Sequence, residues 1–156
     1  GCCPSPFDSY LMTLGLETLS LRVRHEVESA RRLAEYCRNH PKVERVSFVG
    51  FESHPSYANA KKYFRFGSSA VFTIELKGTL DSTVRFVESL NLAAHMVMIG
   101  DSVTVVTHPA STTHKQLSDA DLAAAGVTPT MLRISVGLEN TDDLIDDFEQ
   151  AFAHIG

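Results

Sequence analysis

HPASTTHKQLSDADLAAAGVTPTMLRISVGLEN, running from His108 to Asn140, contains a polar loop, a capped helix, a helix stop and an apolar strand in succession. Ser118 followed by Asp121 is a capping-box pattern, so a short helix is expected over Ser118 to Ala125, with Gly126 as its stop. Leu132 to Val136 then reads as a strand, and Arg133 is its one charged side chain. A guanidinium on so apolar a run is costly to bury unless an anion meets it. Its planar fork pairs two ways with a carboxylate, which suits an amino-acid substrate. The competing explanation is an arginine that bridges two elements through carbonyls or a structural acid, and spacing alone leaves both open.

Working outward, Thr141 to His154 has the period of an amphipathic helix, with Leu144, Ile145, Phe148 and Phe152 on its apolar stripe. Upstream, β-branched Val103 to Thr107 reads as a strand, and Val97-Met98-Ile99 before Gly100-Asp101 is a candidate strand. Leu80 to Leu90 is helical by period, with Asp81 or Ser82 near its start. Ser69 to Leu76 alternates as a strand, Ala60 to Phe64 suggests a short helix, and Val43 to Val49 another strand. Ser5-Pro6-Phe7-Asp8 is a helix start, and apolar residues from Leu11 to Leu33 extend the pattern until Pro41 stops it. One helix from about Pro6 to Asn39 would be about 50 Å long at 1.5 Å per residue. Such a helix connects one body to another. The expected class is α/β (α+β): one sheet of about four strands with helices packed on it.

At 156 residues the chain suffices for one compact domain, with 44% apolar and 21% charged residues. A net charge of −5 argues against nucleic acid or an anionic membrane as partner. No apolar run reaches the roughly 20 residues of a membrane span. Three cysteines, two of them adjacent, make no disulfide framework, so cytoplasm is the expected compartment. Gly1-Cys2-Cys3 would suit acylation after loss of a methionine, but no basic cluster follows to add the second anchoring signal. A start inside a longer chain is the simpler expectation.

Other candidate chemistry is weaker. His108 and His114 flank Ser111, Thr112 and Thr113, yet no GxSxG elbow or orienting acid accompanies them, so a satisfied polar loop is expected. No histidine–cysteine spacing makes a metal site. The acids Glu139, Asp142, Asp143, Asp146, Asp147 and Glu149 read as helix-start and solvated-face carboxylates. Lys115 lies in a polar loop, without the desolvated pocket a Schiff-base lysine needs.

Four stretches, SPFDSYLMTLGLETLSLRVRHE, HPKVERVSFVGFESHPSYANAKKYF, GDSVTVVTHPASTTHKQLS and AAAGVTPTMLRISVGLEN, carry a resemblance in order and spacing from Ser5 to Phe152. The chain resembles the C-terminal domain of the Cys/Met-metabolism pyridoxal-phosphate enzymes, the cystathionine γ-synthase-like group. HPASTTH with SHPSYANAKKYF looks most like the O-acetylhomoserine sulfhydrylase branch, with cystathionine γ-synthase or methionine γ-lyase as alternatives. A non-catalytic amino-acid-binding or oligomerisation module is the reading from a different class.

The resemblance implies the C-terminal domain of a fold-type-I enzyme. Residues 1–40 would be a connecting helix, and residues 41–156 a mostly antiparallel sheet with helices on one face. It implies that Arg133 binds the substrate α-carboxylate and that Met98 and Ile99 border the active site through their backbone. Met98 stands where the family usually has serine or asparagine, and Val103 and Thr104 also depart from its pattern. Thr104, His108 and Ser111 would give support. It implies pyridoxal phosphate in a full-length parent, held by a larger N-terminal domain that this chain lacks. None of Lys42, Lys61, Lys62, Lys77 and Lys115 has the family's Ser-x-Thr-Lys context, so no catalytic lysine, no metal and no bound cofactor are expected here. The partners implied are that missing domain, a small amino-acid substrate and a homo-oligomer, a tetramer in the family. This piece by itself should be inactive.

Overall fold

The computed structural model describes residues 2–155, and the Gly1 acylation reading lies outside them. Two helices open the fold: α1 (Pro6–Glu17) and α2 (Leu19–Asn39). Strand β1 (Val43–Ser47), helix α3 (Tyr57–Tyr63), strand β2 (Val71–Leu76) and helix α4 (Leu80–Glu88) follow. Then come strands β3 (Ala94–His95) and β4 (Val105–Thr107), a 3₁₀ turn over Pro109–Ser111, helix α5 (Asp119–Ala124), strand β5 (Met131–Ser135) and helix α6 (Thr141–Ala153).

The strands form one five-stranded sheet in the order β1-β2-β5-β4-β3, one more strand than expected. Every pairing is antiparallel except β3 with β4. Alternation along the strands sends Phe72, Ile74, Leu76, Val106, Leu132 and Ile134 to one face. There they meet Ala30, Leu33 and Cys37 of α2, Phe86 and Val87 of α4, and Leu144, Phe148 and Phe152 of α6. These three helices therefore cover one side, and the other side carries the polar residues of the same strands.

The single long helix expected over Pro6 to Asn39 is two helices. The chain breaks at Thr18 (φ −106°, ψ 0°), a β-branched residue three positions after Gly15, both poor helix formers. Arg22 bridges the break by donating from Nη1 to the Gly15 carbonyl at 3.1 Å and to the Thr18 hydroxyl at 2.5 Å. The start at Ser5 is as expected, a capping box closed by Asp8. No residue of α1 is buried, and Phe7, Tyr10, Met12 and Leu16 are each at least 60% exposed. Deleting residues 1–17 is therefore expected to change unfolding free energy by less than about 1 kcal/mol in urea titration. A loss of several kcal/mol would mean that α1 packs on the body.

Val97-Met98-Ile99, expected as a strand, is irregular. The strand before β4 lies earlier, at Ala94–His95, where the Ala94 amide donates to the Thr104 carbonyl at 2.8 Å. Met96, Val97, Met98 and Ile99 are all about half exposed, so this run is an apolar surface segment with no ladder of its own. Short apolar runs do not by themselves distinguish strand from exposed loop.

Gly126 ends α5 with φ +72°, as its position after the helix suggested. Gly137 has a different role. A Cβ there would lie 2.5 Å from the Ser102 carbonyl oxygen and 2.6 Å from the Thr104 amide nitrogen. Only glycine allows the 102–104 backbone to cross the end of β5 so closely.

Candidate functional site

Arg133 sits in the middle of β5, between its cross-strand partners Thr73 on β2 and Thr107 on β4. Its neighbours Leu132 and Ile134 are fully buried on the helix side, so alternation places the guanidinium on the opposite, polar face. Its one side-chain hydrogen bond among the described residues is long: Nη2 donates to the Thr107 hydroxyl at 3.3 Å. Nε is buried and has no partner among the described residues. Among the described residues Arg133 has no ion pair.

The same face shows why. Glu75 of β2 pairs with Arg45 of β1, whose Nε donates to its carboxylate at 2.9 Å. Two guanidiniums thus share a sheet face on which Arg45 has taken Glu75, and Arg133 keeps an uncompensated positive charge. A buried donor without a partner costs about 1–3 kcal/mol, more when charged. An incoming carboxylate would remove that cost. The structural-bridge alternative requires carbonyls or an acid around Arg133, and none of these holds it among the described residues.

The 96–100 segment crosses beside this arginine. The Thr107 hydroxyl donates to the Met96 carbonyl at 2.6 Å, and the Gly100 amide donates to the Ser135 hydroxyl at 3.2 Å. Met98 and Ile99 project outward from the segment between these ties, 47% and 58% exposed. Together with Arg22, Asp101 and Ser102 they line a shallow groove that does not include Arg133. The link from the segment to Arg133 is the Thr107 hydroxyl, which meets both the Met96 carbonyl and the guanidinium.

The three residues expected to give support hold structure. Thr104 is fully buried; its amide and hydroxyl donate to Glu139 at 2.6 and 2.7 Å, and its hydroxyl accepts from the Gly137 amide at 2.9 Å. It fastens β4 to the chain leaving β5. His108 is 1% exposed, with Nε2 at 2.9 Å from the Pro129 carbonyl and Nδ1 at 2.8 Å from the Ser111 hydroxyl. A carbonyl only accepts, so Nε2 carries the proton and Nδ1 accepts from Ser111. The polar loop is thus internally satisfied and ties the 3₁₀ turn to the entry of β5.

Burial pushes the His108 pKa below the ordinary histidine value of 6.5, and the hydrogen bond to Pro129 opposes this in part. The unfolded chain then binds the proton more readily than the folded one. The contribution of neutral His108 is complete above pH 6.5 and is lost as pH falls toward the folded value. The stability margin of wild type over His108→Gln is therefore expected to shrink on acidification in urea titrations. A margin that widens at lower pH would contradict the assignment.

Ser47 and His54 form a second hydroxyl–imidazole pair at 3.2 Å, but His54 Nδ1 accepts from the Ser56 amide at 3.1 Å. Nε2 is therefore the protonated nitrogen, and it faces Ser47 as a donor, with no means of activating it.

The lysines are placed unlike a Schiff-base residue. Lys42 donates to the Phe152 carbonyl at 2.7 Å and to the Ile155 carbonyl, completing the end of α6. Lys61, Lys62, Lys77 and Lys115 are exposed. Two residues passed over in sequence prove central. Thr107 reads simply as a strand former, although it is the link between Arg133 and Met96. Asp147 reads as a solvated-face acid, yet it is 6% exposed and accepts from the amides of Asn91, Leu92 and Ala93 at 2.8–3.1 Å. No local pattern signals either, because their partners are distant in sequence.

Comparison with known proteins places the chain among relatives of one family. The profile of the family described as "Cys/Met metabolism PLP-dependent enzyme" matches residues 1–153. A homocysteine synthase of Schizosaccharomyces pombe is 46% identical over 94% of the chain, which covers 34% of that protein. A sulfhydrylase of Fusarium oxysporum is 44% identical over 97% of the chain, which covers 35% of it. Among solved structures, a putative O-acetylhomoserine (thiol)-lyase from Campylobacter jejuni, carrying a pyridoxyl-lysine phosphate, superposes with a TM-score of 0.89 at 35% identity. That match covers 98% of this chain and 36% of the other. The chain spans about a third of the length of these relatives.

Proposed function

The chain belongs to the Cys/Met metabolism PLP-dependent enzyme family, and on that premise we propose that it is the C-terminal, substrate-binding domain of an O-acetylhomoserine sulfhydrylase. The parent reaction would replace the γ-acetoxy group of O-acetylhomoserine with sulfide, giving homocysteine and acetate. The observation that carries this reading is Arg133, a half-buried guanidinium with an unpartnered Nε on a sheet face where Arg45 has taken Glu75. In this role Arg133 holds the substrate carboxylate through its planar fork and fixes the orientation of the amino acid. In this reading the segment 96–100 borders the bound substrate through the backbone of its tied ends.

Pyridoxal phosphate does not fit the residues of this chain. The lysines are exposed or, for Lys42, committed to the carbonyls ending α6. The cofactor, which supplies an electron sink when bound, belongs to polypeptide preceding this domain in the proposed parent. The apolar side chains exposed on α1 and on 96–99 support such a covering partner, since apolar patches of this kind mark contact surfaces. A cytoplasmic homo-oligomer completes the reading.

The chain alone, titrated with pyridoxal phosphate and treated with borohydride, is expected to show no stoichiometric lysine adduct. One lysine labelled to completion would overturn this division of labour. The chain joined to a cofactor domain, assayed with O-acetylhomoserine, is expected to turn over with sulfide and hardly at all without a thiol acceptor. Equal turnover without a thiol would assign it to a γ-lyase.

A further inference from the structure

The segment 96–100 has no ladder of its own, yet side chains tie it at both ends, and those side chains bracket Arg133. Thr107 is the cross-strand partner of Arg133, and Ser135 lies two residues along β5 on the same face. Both are nearly inaccessible, at 1% and 2% exposure. The Thr107 hydroxyl has one proton, which goes to the Met96 carbonyl at 2.6 Å, so only its lone pairs face Arg133 Nη2 at 3.3 Å. That single oxygen couples the position of the segment to the position of the guanidinium.

We propose that Thr107 is a positioning residue: its hydroxyl holds Arg133 and, with Ser135 at Gly100, sets the 96–100 segment against it, so that guanidinium and segment meet a carboxylate ligand as one assembly. The proposal rests on the reading of Arg133 as the carboxylate-binding group. Thr107 touches no substrate itself. It acts by fixing one Nη2 hydrogen and leaving the buried Nε–H for the ligand. Valine at this position keeps the shape and removes the hydroxyl, and serine keeps the hydroxyl and removes a methyl group.

The test compares Thr107→Val and Thr107→Ser in the enzyme assembled with its cofactor domain, using an amino-acid substrate and its carboxamide analogue. Thr107→Val is expected to raise KM for the carboxylate substrate by about tenfold, with a smaller change in kcat and little change for the carboxamide. Thr107→Ser is expected to stay within about twofold of wild type. In the 156-residue chain, amide hydrogen exchange at Gly100 should speed up in Thr107→Val and not in Thr107→Ser. Wild-type KM and exchange in Thr107→Val would overturn the proposal. So would equal losses on both substrates that serine fails to restore, the pattern of a merely structural residue. If Arg133→Ala leaves the preference for carboxylate over carboxamide intact, the reading of Arg133 fails, and Gly100 exchange still decides whether Thr107 ties the segment.

Discussion

Arg133→Ala, made in the enzyme reunited with its cofactor domain, is expected to lower kcat/KM about 30- to 4,000-fold. That range corresponds to about 2–5 kcal/mol, the usual cost of removing one partner from a desolvated charge pair in the bound state. The loss should fall mainly on substrates with a free carboxylate, and a carboxamide analogue should be nearly indifferent. Arg133→Lys should recover only part of the loss, because an ammonium lacks the planar fork. Thermal stability should change little or rise, since the substitution removes an unpartnered buried donor, although it also leaves space beside Thr73 and Thr107. A loss below tenfold in kcat/KM, measured by steady-state kinetics, would make Arg133 a structural residue.

The largest effect on the fold is expected at Asp147. Its carboxylate accepts from the successive amides of Asn91, Leu92 and Ala93 and from Gln150. Those amides lie where the chain leaves α4 and enters β3, so one side chain of α6 holds the approach to the 96–100 segment. Asp147→Ala leaves these amides without their partner, at about 1–3 kcal/mol for each that remains buried. A total destabilisation of about 3–5 kcal/mol in urea titration is expected, together with faster amide exchange through residues 91–100. Asp147→Asn should cost less, because its one carbonyl oxygen still accepts from part of the set. A change under about 1 kcal/mol for the alanine variant would show that water replaces the carboxylate without penalty.

The parts of this fold legible in sequence are those governed by local rules. Ser5 with Asp8 caps α1, Ser118 caps α5, and Gly126 takes the positive φ that ends it. Arg133 stands out because a charge on an apolar strand demands an explanation wherever the strand lies. What escaped depends on contacts between distant residues. Thr107 and Ser135 gain meaning only once β4 pairs with β5 and the 96–100 segment crosses them, and Asp147 only once α6 packs beside residues 91–93. The run Val97 to Ile99 reads as a strand because its hydrophobicity signals burial, and here that surface is exposed. The break at Thr18 is hidden in the sequence for a related reason. The apolar period of α1 and α2 continues across it, but Leu11 and Leu14 point to solvent while Ala30 and Leu33 enter the core.

The most direct test of the central claim is a crystal structure of the assembled enzyme with an unreactive amino-acid analogue bound. The expected result is a carboxylate with its oxygens about 2.7–2.9 Å from the Arg133 guanidinium, one of them satisfying Nε. A carboxylate seated elsewhere, with Nε still unpartnered, would contradict the account.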